Sequence, residues 1–72
     1  LKNYLLVNQR NEYFTGKIRT KNKKAFPDTS TDVIKAKFYM HRKIAEKAVK
    51  RVYIKTGMLF DIEEPEIKLI TS

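Results

Sequence analysis

Chemistry in this chain has few residues to draw on. His41 is the single histidine, with no cysteine in the chain and no clear carboxylate partner near it. A lone imidazole of this kind makes a poor metal ligand or general base and reads as a surface or helix-start side chain. Asp61, Glu63, Glu64 and Glu66 bring oxygen ligands together, but they lack the spacing and the internal glycine of a calcium loop. They read as a solvated acidic end that balances a basic body. Thr29-Ser30-Thr31 offers hydroxyls without a base to activate one. Gly16 and Gly57 are the only glycines, too few and too far apart for a phosphate-cradling loop. The expectation is a protein with no enzymatic activity, no metal and no cofactor.

What the sequence does concentrate is positive charge, in two tracts. Arg10, Lys17, Arg19, Lys21, Lys23 and Lys24 fall on the first half of the chain, and Arg42, Lys43, Lys47, Lys50, Arg51 and Lys55 on one stretch of the second. Each tract supplies several ammonium or guanidinium groups within a short length, which suits the tracking of a phosphate backbone. Tyr4, Tyr13 and Tyr39 would stack on unpaired bases if they lay on an open sheet face, although aromatic residues more often simply fit half-buried strands.

The whole chain agrees with that bias. Its 72 residues carry a formal charge of +8, and the sequence pI is about 9.9. Residues 1–57 hold 15 basic and 4 acidic side chains, while residues 58–72 hold one basic and four acidic ones. Such a polarity attracts polyanions: nucleic acid, an acidic protein surface or an anionic membrane. A hydrophobic fraction of 42% and a charged fraction of 33% suit a folded chain rather than a disordered one. No run of bulky apolar residues exceeds three, as in Leu5-Leu6-Val7 and Met58-Leu59-Phe60, so neither a transmembrane helix nor a secretory leader of the usual form is expected. The absence of cysteine excludes a disulfide scaffold and fits a cytoplasmic setting. A chain this short is expected to make one domain over residues 1–72.

These cations must be positioned by local structure. Tyr4-Leu5-Leu6-Val7 and Tyr13-Phe14-Thr15, with Ile18, are strand-prone runs separated by the polar Asn8–Glu12, which predicts a hairpin. Gly16 marks a bulge or a close backbone approach. After a second polar turn at Thr20–Lys24, Ala25-Phe26 predicts a brief third strand that Pro27 stops. Residues 28–32 are capping and turn residues. A helical turn is expected at 31–36, opening into an extended stretch near 37–40. The next segment is amphipathic: Ile44, Ala45, Ala48, Val49 and Val52 share one helical face, the basic residues fill the other, and Glu46 can pair with Arg42 or Lys50. Gly57 is a natural stop, and Ile54 falls outside the apolar stripe. Met58–Ile62 predicts a closing strand and Ile67–Ile70 a further edge strand or packed tail. The fold class expected is α+β: a small antiparallel sheet of three to four strands against one amphipathic helix.

The stretch Ser30-Thr31-Asp32-Val33-Ile34-Lys35-Ala36-Lys37-Phe38-Tyr39, followed by Ala45-Glu46-Lys47-Ala48, resembles a pattern in small uncharacterised bacteriophage and prophage accessory proteins. Asn3-Tyr4-Leu5-Leu6-Val7 and Asn11-Glu12-Tyr13-Phe14 resemble the hairpin of that pattern. Ser30 stands where the pattern has an aromatic residue, and Met40-His41 where it has a helix cap. The resemblance implies a mobile-element accessory protein and no particular activity. In architecture, the tract Lys17–Lys24 is similar to the DNA-facing strands of the arm-binding domain of tyrosine recombinases.

Two functions follow as expectations. One is a non-enzymatic accessory protein that binds nucleic acid through its basic surface. The other is a modulator or inhibitor of a host enzyme, binding an acidic or apolar protein surface through a sheet edge, Ile54 or the tail Ile67-Leu69-Ile70. A membrane partner is not expected, because the helix lacks large aromatic or leucine side chains on its apolar face. The chain is expected to be a monomer or a weak homodimer.

Overall fold

Alternating apolar and polar residues set up a sheet. In the computed structural model, which describes residues 3–65, β1 (Leu5–Val7), β2 (Tyr13–Lys21), β3 (Lys24–Ser30) and β4 (Asp61–Glu63) form one antiparallel sheet in the order β3-β2-β1-β4. A single helix, α1 (Arg42–Thr56), packs against it. The architecture is α+β with a small open sheet and one helix, as the residue patterns predict.

The β1–β2 turn is closed by Asn8, whose Oδ1 accepts from the backbone N–H of both Arg10 and Glu12 at 2.9 Å. The β2–β3 turn is tighter. Lys21 pairs with Lys24, and the two residues between them, Asn22 and Lys23, have φ of 53° and 64°. Two consecutive positive φ values define the type I′ turn, whose twist matches a hairpin.

Two irregularities shape β2. Phe14 pairs with Thr29 and Ile18 with Pro27, so Thr15, Gly16 and Lys17 together oppose the single residue Asp28. This is the bulge that Gly16 signals, and Gly16 adopts φ +97° there. The second irregularity is a fork. β1 and β2 pair only at Val7 and Tyr13 and then diverge. The chain after a 3-10 turn at Val33–Lys35 fills the opening: Lys37 donates its N–H to the Phe14 carbonyl, and Tyr39 exchanges two backbone bonds with Tyr4 at 2.8 and 2.9 Å. Asp32 caps the 3-10 turn by accepting from Ile34 N–H at 3.0 Å.

The helix begins after His41, which occupies the N-cap without a side-chain capping bond, and ends at Gly57 with φ 73° and a 2.7 Å bond from its N–H to the Tyr53 carbonyl. Its Ala45 and Val52 are buried with Tyr4, Leu6, Phe14 and Phe60, while Ala48, Val49, Ile18, Tyr39 and Ile62 pack at the margin. The Phe14 and Phe60 rings meet at 5.7 Å and 52°, a tilted contact favoured by aromatic quadrupoles. Burying a side chain such as Leu6 or Val52 is worth roughly 1.5–3 kcal/mol.

The structure corrects several expectations. Pro27 does not stop the third strand: β3 runs through it to Ser30, because β3 lies at the sheet edge, where one side of the backbone needs no ladder partner. Asp28, Thr29 and Ser30 are therefore strand residues, and only Asp32 caps a helical turn. The closing strand starts at Asp61, leaving Met58 and Leu59 exposed in the connection. Tyr4 is in the helix-side core and Tyr39 packs on it, so neither offers a ring for base stacking on an open sheet face. The predicted segment Ile67–Ile70 lies outside the described residues.

Candidate nucleic-acid interface

The distal half of the β2–β3 hairpin is open to solvent. From Arg19 through Lys24 every residue is exposed. This two-stranded ribbon carries Lys17 and Arg19 near its base, Lys21 and Lys24 as its last paired residues, and Lys23 in the turn. Its shape follows from local chemistry: the I′ turn sets the register, and the bulge at Thr15–Lys17 shifts that register below Ile18. Lys23 is notable within that logic. Type I′ turns favour glycine at this position, and a lysine at φ 64° costs roughly 1–2 kcal/mol of backbone strain.

At the base of the ribbon, three side chains form a linked unit. Thr15 Oγ1 donates to Asp28 Oδ2 at 2.6 Å, and Arg19 Nε donates to Asp28 Oδ1 at 2.9 Å. The Thr15 bond is the largest influence holding the Asp28 carboxyl below its ordinary pKa; Arg19 and Lys17 act in the same direction, against partial desolvation. Phe26 pairs directly with Arg19 and is 40% exposed.

The helix divides its cations between two flanks. Lys47, Arg51 and Lys55, each four residues apart, rim a groove of about 480 Å³ whose floor is Phe14, Ile18, Ala48 and Val52. That lining contains no acidic residue. Burial raises the pKa of the Tyr39 hydroxyl in the groove wall, with Arg51 partly opposing the shift. On the other flank, Arg42 pairs with Glu46 at 3.4 Å, and Lys50 shares its surface depression with Glu46 and Asp61. The helix cations beside β4 thus share their depression with carboxylates, and those beside β2 line a groove that has none.

The twelve cations singled out in the sequence are therefore not equivalent. Lys17, Arg19, Lys21, Lys23 and Lys24 belong to the ribbon, and Lys47, Arg51 and Lys55 to the groove that reaches its base at Gly16 and Ile18. Arg42 and Lys50 face the β4 side. Lys43 is exposed on the helix and lines neither depression. Arg10 sits in the β1–β2 turn, at the opposite end of β2 from Lys21 and Lys24. With about 3.3 Å per strand residue, that separation is roughly 30 Å, so Arg10 is apart from the tract with which the sequence grouped it. Lys37 belongs to neither sequence tract, yet its side-chain carbons lie 3.4 Å from where a Cβ on Gly16 would stand, at the junction of ribbon and groove. Only the fork between β1 and β2 brings it there, and local sequence carries no signal for that pairing.

Among the described residues no group of three or more His, Asp or Glu side chains is arranged to hold a metal ion, and no helix is long and apolar enough to cross a membrane. Comparison with family models, curated proteins and solved structures returns no match.

Proposed function

We propose that this protein is a small non-enzymatic accessory factor that binds nucleic acid, with the β2–β3 ribbon as its principal contact. The observation that carries this reading is the ribbon itself: an arm exposed from Arg19 to Lys24 that adds little to the core yet bears four cations, one of them at a backbone position suited to glycine. The major groove of a duplex admits a two-stranded β-ribbon, and lysine-rich elements of this size gain affinity by releasing counterions from phosphates. The groove rim of Lys47, Arg51 and Lys55 extends the positive surface at the ribbon base. Anisotropy titration of a labelled duplex tests it: binding at low salt that weakens in the Lys21→Ala/Lys23→Ala/Lys24→Ala variant supports the reading, and absence of binding at low salt overturns it.

A second reading rests on exposed apolar side chains. Ile34 and Ile54 are 83% and 81% exposed, and Met40 and Leu59 are 65% exposed. A protein partner would cover such residues. Capture of one protein from a host lysate, persisting after nuclease treatment and lost on Ile54→Ser, favours this alternative.

A further inference from the structure

We propose that Arg19 is an oriented reader rather than a loose charge, and that Asp28 is its positioning residue; the proposal rests on the nucleic-acid reading above. Arginine has five N–H donors in a planar fork. Here Nε–H is committed to Asp28 Oδ1 at 2.9 Å, while the side chain remains 58% exposed. Of the four remaining N–H donors on the two Nη groups, one runs parallel to Nε–H on the Asp28 side, and two others lie at the tip of the fork, outside that bond. These two form an end-on pair matched to two adjacent acceptors, which on a duplex are the O6 and N7 of guanine or two oxygens of a phosphate.

Asp28 is itself fixed. Its second oxygen accepts the Thr15 hydroxyl at 2.6 Å, so the carboxylate cannot turn without breaking that bond. The bulge makes the arrangement possible: three residues of β2 oppose Asp28 alone, which lets Thr15 and Arg19, four positions apart, both reach it. The fork is thus held on a paired strand, ahead of any ligand, and less side-chain entropy is lost on binding. The neighbouring Lys17, Lys21, Lys23 and Lys24 have no such buttress; among the described residues none of them makes an ion pair.

The inference has a sign that charge alone cannot mimic. Asp28→Asn removes a negative charge from a surface that meets a polyanion. If Arg19 acts only as a point charge, that change strengthens binding. If Asp28 aims the fork, it weakens binding. The experiment is anisotropy titration of a guanine-containing duplex with wild type, Asp28→Asn, Arg19→Lys and Arg19→Ala, at fixed salt and with the fold of each checked by circular dichroism. The expected result is a roughly tenfold or greater loss for both Arg19→Lys and Asp28→Asn, the size of one good bidentate contact. Asp28→Asn binding as tightly as wild type, or Arg19→Lys matching wild type, overturns the proposal. Should Asp28→Asn fail to fold, the Arg19 pair decides alone: Arg19→Lys as weak as Arg19→Ala supports the fork, and Arg19→Lys equal to wild type refutes it. A duplex carrying 7-deazaguanine separates the acceptors, because loss of wild-type affinity on it assigns the fork to guanine and unchanged affinity assigns it to phosphate. Ribbon lysine variants that weaken binding while the Arg19 and Asp28 variants do not would leave nucleic-acid binding intact and remove only the positioning; wild type that binds no duplex removes both.

Discussion

Lys37 donates its backbone N–H to the carbonyl of Phe14 at 2.8 Å, across the fork where β1 and β2 part. That bond brings the 36–39 segment onto β2 beside Gly16, where a Cβ would meet three Lys37 side-chain carbons at 3.4 Å. Gly16 also holds φ +97°, whereas Gly57, at φ 73°, has nothing within 4 Å of its Cβ position. Gly57→Ala is therefore expected to cost about 1 kcal/mol, the backbone term alone. Gly16→Ala is expected to cost more, roughly 1–3 kcal/mol, because backbone strain and crowding add. Urea denaturation of the two variants compares them directly, and an equal loss would show that the fork can relax.

The tip of the ribbon separates stability from binding. Lys23→Gly relieves the strain of a lysine at φ 64° and is expected to stabilise the fold by roughly 1 kcal/mol, raising Tm. The same change removes a cation from the proposed contact and is expected to weaken nucleic-acid affinity. Thermal melting and anisotropy on one sample check both halves; a variant that is neither more stable nor weaker in binding contradicts the role given to this turn.

Core packing sets the stability that the ribbon draws on. Leu6 is fully buried among Tyr4, Phe14, Ala45, Val52 and Phe60. Leu6→Ala is expected to lose about 2–5 kcal/mol, a large share of the stability of so small a domain. Ile54→Ser, at a position 81% exposed, is expected to change stability by no more than about 0.5 kcal/mol. Denaturant midpoints distinguish the two.

Tyr39 reports on the groove. Burial raises its hydroxyl pKa above the ordinary 10.0, and the positive charge of Arg51 pulls in the opposite direction. A raised folded-state value means that the folded chain holds the proton more tightly than the unfolded chain. The associated stability is complete below pH 10 and is lost as pH rises through the folded pKa. Arg51→Ala removes the opposing charge and is expected to move the Tyr39 titration still higher. Ultraviolet-monitored alkaline titration, with Tyr39→Phe to assign the transition, measures the shift; a downward move in Arg51→Ala contradicts the placement of Arg51 against Tyr39.

Much of this fold is legible in local pattern. The apolar stripe Ile44, Ala45, Ala48, Val49 and Val52 and the stop at Gly57 define the helix that the structure contains, although Ile44 at its start is half exposed, and Gly16 marks the bulge. Ile54, which fits no stripe, is solvent-exposed. What local pattern misses depends on distant pairing. Pro27 reads as a strand end because a missing amide donor is costly inside a sheet, and only the edge position of β3 makes it tolerable. Residues 36–39 alternate like a strand, yet nothing near them tells that they fill a fork between two others. The candidate site divides in the same way. Sequence spacing groups Arg10 with the ribbon lysines, but strand direction places it at the far end of β2. The Thr15–Asp28–Arg19 unit depends on a two-residue register shift that sequence spacing does not express.

The central claim is that ribbon cations neutralise phosphates, and the salt dependence of duplex binding tests it most directly. For B-DNA, log K falls with log salt by about 0.9 for each phosphate contact. Titrations from about 50 to about 200 mM salt are expected to show a steep slope for wild type and a slope flatter by up to about 2.7 for Lys21→Ala/Lys23→Ala/Lys24→Ala, three contacts at that rate. A wild-type slope near zero, or the same slope in both proteins, would contradict the account.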